Sequence, residues 1–249
     1  MKKITKNLFL LSFLGISLFA SSEKVDFSVS EKYQDLSSEI FKNISSHHYT
    51  REIDKESFNE LYIDALIEEL DGNKNLFLGY EIKSFKRKSS NYKKNRENFD
   101  IDLAYEILNT YFNRVIEISE YQIKLAQKDS FDLSVDEGID IFYDDNEYAS
   151  TMLELKERWR KTTKNDFIVS VLAKDDEDEI ISNLTSRYER RIKRVLQRKD
   201  EDIFLLAINI MTRQFDPHST YLSPYNAEDF EIDMSLKLGG IGALLSNSA

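Results

Sequence analysis

An all-α, multi-helix domain that runs into a short glycine-rich extended segment is the architecture this sequence predicts, and three observations predict it. Apolar residues recur at three- and four-residue spacings through most of the chain, the period of a helix with one buried face. Before residue 234 no run alternates apolar and polar residues for long enough to argue a strand. Both prolines, Pro217 and Pro224, and three of the seven glycines, Gly239, Gly240 and Gly242, fall after residue 216, so turn punctuation is concentrated at one end.

The chain opens with Lys2, Lys3 and Lys6, a largely apolar run from Asn7 to Phe19, and small residues at Ala20-Ser21-Ser22. That is the layout of a secretory signal peptide over 1–22, with an apolar run too short to span a membrane; a short N-terminal anchor is the other reading. No cysteine is present, which excludes disulfides, thiolate catalysis and cysteine-based zinc sites. The formal net charge is −11, and cleavage would remove three lysines and no acid. Such a chain is a poor ligand for nucleic acid and for anionic membranes. With 41% hydrophobic residues, sixteen Phe and thirteen Tyr, it has the material for a folded core.

Ser28 to Ser46 reads as the first helix, with Leu36, Ile40 and Ile44 on one face. Asp54 is a candidate N-cap for the second, whose stripe is Phe58, Leu61, Tyr62, Ala65, Leu66 and Leu70. Asp71-Gly72-Asn73 ends it, with Gly72 suited to a left-handed C′ position. A short segment around Ile82 and Phe85 follows, overlapping a basic run from Lys83 to Lys94 that reads as a solvated helix end or loop, or else as an anion patch. The strongest helix signal spans Asp100 to Gln127, with Ile101, Ala104, Leu108, Tyr111, Phe112, Val115 and Ile118 inward.

The acidic stretch from Ser130 to Glu147 fails the EF-hand pattern and reads as solvated rather than calcium-binding. Tyr148 to Lys161 is a helix carrying the only tryptophan, Trp159, and Asn165 to Ala173 is a separate short apolar segment. The next helix starts in acid at Asp175-Asp176-Glu177-Asp178-Glu179 and ends in Arg190, Arg191, Lys193, Arg194 and Arg198. That order complements the helix macrodipole without any ligand. Its inward side is Ile180, Leu184, Tyr188, Ile192, Val195 and Leu196. Asp200 then caps a helix with Ile203, Leu206, Ala207, Ile210 and Met211 inward. Ser223-Pro224 is an N-cap followed by an N1 proline, opening a short helix to about Asp233.

Asp216, His218 and Ser219 are the ingredients of a hydrolytic triad, but groups this close in sequence do not line up as orienter, base and nucleophile. Asp216, Pro217, His218, Ser223 and Pro224 instead mark a rigid structural junction between two domains. His47 and His48 are a helix-end pair with no third ligand spaced nearby. Gly239-Gly240-Ile241-Gly242 lacks the lysine of a phosphate loop and fits a tight turn into a strand, whose N–H groups can cup a carboxylate.

The run Asp216-Pro217-His218-Ser219-Thr220-Tyr221-Leu222-Ser223-Pro224, with Met234-Ser235-Leu236 and Gly240-Ile241-Gly242-Ala243, resembles the tail-specific proteases, the C-terminal processing peptidases of the Gram-negative periplasm. His48-Tyr49, Leu76-Phe77-Leu78, Arg187-Tyr188 and Glu201-Asp202-Ile203-Phe204 extend the likeness upstream. The resemblance implies a helical N-terminal domain over 23–233 and the truncated first strand of a PDZ domain over 234–249. In that family a protease domain with a Ser–Lys dyad follows. It further implies that the helical region helps enclose protein substrates with free C-termini and docks a helical-repeat lipoprotein adaptor. Gly240, Ile241 and Gly242 would belong to the carboxylate-binding turn of the PDZ domain; Gly239 stands where the family usually has an acidic residue. No catalytic residue, metal or cofactor is assigned within this chain, which is expected to be inactive alone and periplasmic. A self-standing helical protein-binding module without enzymatic role is the alternative.

Overall fold

The computed structural model describes residues 24–49, 57–92, 99–127, 131–139, 147–173 and 176–235. Eight helices account for most of them: α1 Glu31–His47, α2 Phe58–Asp71, α3 Gly79–Tyr92, α4 Ile101–Ala126, α5 Met152–Leu172, α6 Glu177–Leu196, α7 Asp200–Thr212 and α8 Pro224–Ser235. No strand occurs among the described residues beyond one isolated parallel bridge between Leu78 and Ala149. The all-α expectation therefore holds there. The segment bearing Gly240, Ile241 and Gly242, and the candidate cap Asp54, lie outside the described residues.

α4 is the central element, because its sequence is apolar over more than one face. It packs along α6 and also touches α2, α3, α5 and α7. Its ends are the expected ones: the Asp100 side chain accepts from the Leu103 N–H at 2.9 Å, and Gln127 is the C-cap. Every residue of its predicted stripe is buried except Tyr111, which is half-buried.

Around α4 the apolar side chains form three clusters rather than one. The largest joins α1, α2, α3, α4 and α7 through Phe41, Tyr62, Leu66, Leu108, Phe204 and Met211 among others. A second sets Trp159 and Leu155 of α5 against Ile118 and Leu78. The third sets Ile180, Leu184 and Tyr188 of α6 against Ala126.

Several expectations give way to the structure. Gly72 is right-handed, at φ −54° and ψ −27°; the residue in the left-handed region is Lys74, at φ 52°. The turn is held instead by Asp71, whose buried carboxylate accepts from the N–H groups of Asn75, Leu76 and Phe77 at 2.7, 2.9 and 2.8 Å. A side chain at position 72 would crowd the Glu68 carboxylate and carbonyl at 3.0 and 3.1 Å, so this glycine supplies room rather than handedness. Leu61 faces solvent, while Ile63 and Ile67 are buried in its place. The segment around Ile82 is a full helix, and its lysines ride outside it: Lys86 pairs with Asp64 at 3.0 Å and Lys88 with Glu106 at 2.5 Å.

α5 is one continuous helix where two segments are expected. The polar run between its halves is not a break, because Thr163 and Lys164 are buried and bonded: Thr163 donates to the Trp159 carbonyl at 2.8 Å, and Lys164 to the Val135 carbonyl at 3.1 Å. Leu196 is exposed at the end of α6. Asp200 is the first residue of α7 rather than its cap, and Asp202 accepts from the Lys199 N–H at 2.8 Å. α8 continues through Met234 and Ser235, two residues beyond the predicted end.

Candidate functional site

The segment from Asp216 to Pro224, expected to be a junction, is held in place by two distant pieces of chain. After α7, Phe215 turns its ring into the core beside Phe41, Phe58 and His48, at centroid distances of 6.1, 5.3 and 5.8 Å. The next residue, Asp216, closes the turn on itself. Its carboxylate accepts from the His218 N–H at 2.8 Å, and its carbonyl accepts from the Ser219 N–H at 2.9 Å. This is the side-chain-to-backbone bonding that suits Asp before a proline turn.

The end of α1 clamps that turn from outside. The Tyr49 hydroxyl donates to Asp216 at 2.6 Å, and the His48 Nε2 lies 3.2 Å from the Ser219 Oγ. The Tyr49 hydroxyl and then the His218 backbone N–H hold the Asp216 carboxyl below the ordinary carboxylate range. On the other side Thr212 donates to the Ser219 carbonyl at 3.0 Å, and Asn209 accepts from the Tyr221 N–H at 2.7 Å. Tyr221 sits edge-on to Phe204, which stacks on Tyr33 of α1 at 4.4 Å. Phe215, Thr212 and Tyr221 thus tie the turn to the core, while Pro217 and His218 stay at the surface.

Chemically, the three triad ingredients are distributed rather than aligned. The His218 side chain is 94% exposed, 3.3 Å from Asp216. Ser219 faces His48 on a different element. Ser223 and Pro224 behave as expected: the Ser223 carbonyl accepts from the Ala227 N–H at 2.8 Å and its Oγ from the Asn226 N–H at 3.4 Å, starting α8. α8 then leaves the core. None of its residues is buried, and Tyr225, Phe230 and Met234 stand exposed.

Sequence reading could not reach the His48–Ser219 and Tyr49–Asp216 contacts, which bridge 171 and 167 positions. It also missed the buried pair of Arg114 and Glu81 at 2.7 Å, which ties α3 to α4. Among the described residues of the acidic stretch, Glu137 is not left to solvent. Glu137 docks on α5 through Lys164 at 2.7 Å and through Arg160. No group of three or more His, Asp or Glu among the described residues is placed to hold a metal.

What the described residues define is a helical scaffold domain, with its polar groups spent on clamping turns and docking loops. A family model described as the tail specific protease N-terminal domain matches residues 40–225, and the chain belongs to that family. A tail-specific protease of Haemophilus influenzae is 29% identical over 221 residues, covering 88% of this chain. The chain spans about a third of that relative's length, 32%. The matched region runs from within α1 to Tyr225, in the first turn of α8.

Proposed function

We propose that this chain is the leading, substrate-enclosing and adaptor-docking region of a periplasmic C-terminal processing serine peptidase. The observation that carries this reading is the family match over 40–225 together with a clamped junction that delivers a free helix at the end of the matched region. A rigid junction before an unpacked helix suits a domain that positions a following module. In this reading residues 1–22 are the export signal and Gly240, Ile241 and Gly242 begin the PDZ carboxylate turn. The catalytic Ser–Lys pair is supplied by a segment beyond Ala249, and the partners are proteins with free C-termini and a helical-repeat lipoprotein.

Two measurements test it. The chain alone should leave a protein bearing an apolar C-terminal tail intact, and turnover by the chain would sink the reading. Residues 40–225, exchanged for the matching region of the Haemophilus influenzae protein, should support tail-dependent cleavage and binding of a helical-repeat lipoprotein. A folded chimera that cleaves tailed and tailless proteins alike, or does not bind adaptor, would show that the region does neither task.

A further inference from the structure

A cavity of about 400 Å³ opens between α4 and α6, beside the largest apolar cluster and the one around Trp159. Its floor is Phe112, Val115 and Ile118 of α4, with Leu76 and Val195. Its other wall is cationic: Arg191, Arg194 and Arg198 of α6. The spacing shows how unusual this is. Ile180, Leu184 and Tyr188 are buried at successive four-residue steps, and Val195 is buried seven residues on. Between them Ile192 packs on the core and Arg191 is half-buried beside it, while Arg194 and Arg198 stand exposed at the cavity rim. The macrodipole accounts for the exposed bases near the helix end, but not for a half-buried Arg191 beside Tyr188 and Val195.

These three guanidinium groups form no ion pair among the described residues. Arg191 donates to the Gln122 side chain at 3.0 Å and lies 5.6 Å from the Tyr188 ring. Arg198 lies 4.8 Å from the Phe112 ring. Arg187, one turn before Arg191, has its charge met by Asp166. Charge removed from water without a counter-charge is costly. Burial accordingly lowers the Arg191 pKa. In a chain of net charge −11, one half-buried and two exposed arginines without carboxylate partners line an apolar floor, a surface complementary in charge and polarity to an anion carried beside an apolar side chain.

We propose that this cavity binds an acidic peptide segment of another protein, a side-chain carboxylate meeting Arg191, Arg194 and Arg198 while a neighbouring aliphatic or aromatic side chain covers the floor. A volume of this size holds two or three side chains. A free phosphate would satisfy the arginines and leave the floor wet. A lipid surface needs a projecting basic patch rather than a concavity, and the acidic chain repels anionic bilayers. The site stands on the geometry of α4 and α6 and does not require the peptidase reading.

The test is fluorescence anisotropy of the 249-residue chain with a fluorescein-labelled, C-terminally amidated peptide of alternating Leu and Glu. Saturable binding is expected, weakened about tenfold or more when Gln replaces every Glu, and weakened similarly by R194E/R198E and by R191M. R190E, on the exposed side of α6, should bind as the parent does. Raising salt from about 50 to about 500 mM should weaken binding, as expected for screened charge. Circular dichroism qualifies each variant, and single R198E replaces the double reversal if helicity is lost. Equal affinity for the Gln peptide, insensitivity to all three arginines, or arginine-dependent binding of inorganic phosphate or phosphatidylglycerol vesicles in place of peptide would each overturn the proposal.

Discussion

Asp71 shows how much of this fold rests on one carboxylate. It is buried, and it collects three consecutive N–H groups that would otherwise be unpaired where α2 turns toward Leu76 and Phe77. Burial raises its pKa, and the three N–H groups pull against that rise. Asparagine at this position keeps the shape but turns one acceptor oxygen into a donor facing backbone donors. Asp71→Asn should therefore cost about 2–3 kcal/mol in urea unfolding, the scale of leaving buried donors unsatisfied. A loss below about 0.5 kcal/mol would show that the turn holds itself. The sequence marked Asp71-Gly72-Asn73 as a helix end, and that end is where it was expected. The mechanism was not legible, because an Asp reaching four to six residues ahead looks, in sequence, like any acidic residue at a helix terminus.

At the scale of elements, the apolar period located α1, α2, α4, α6 and α7, since a stripe facing a core is written directly into residue spacing. The continuity of α5 was hidden, because Thr163 and Lys164 read as a polar interruption yet are buried through tertiary bonds. The loop at 131–139 is part of the same arrangement. Glu137 reaches Lys164 and Arg160, and bonds from Arg160 first, then Lys164, lower its pKa to about 2 from an ordinary 4.5. A depressed carboxylate contributes its stabilisation above its unfolded pKa and loses it as pH falls through the folded value. Docking of the loop on α5 should thus be intact at pH 5 and above, and should fade between the ordinary carboxylate range and pH 2. A carbon-13 titration of the Glu137 carboxyl should give a midpoint well below that of exposed glutamates. A midpoint near 4.5 would mean the ion pairs do not form in solution. Glu137→Gln at neutral pH should release the loop without unfolding α5, seen as faster amide exchange at 131–139 alone.

At the scale of the whole described molecule, burial is concentrated before α8. Phe215 is 6% exposed and joins the end of α7 to α1 and α2 through Phe41 and Phe58. Nine residues later α8 buries nothing. A helix of twelve residues gains little from propensity alone, so α8 without packing contributes almost nothing to the global transition. Phe215→Ala removes a large buried ring and should cost about 3–5 kcal/mol. Tyr225→Ala with Phe230→Ala, two exposed rings of α8, should move the unfolding midpoint by no more than about 0.5 kcal/mol. The two variants separate a core-closing turn from an outgoing arm. The reading fails if they destabilise alike, for α8 would then be packed on the domain. Tyr49→Phe gives the finer distinction. It removes only the hydroxyl on Asp216, so it should loosen amide protection at His218 and Ser219 while leaving the midpoint within about 1 kcal/mol, the net worth of one exposed hydrogen bond.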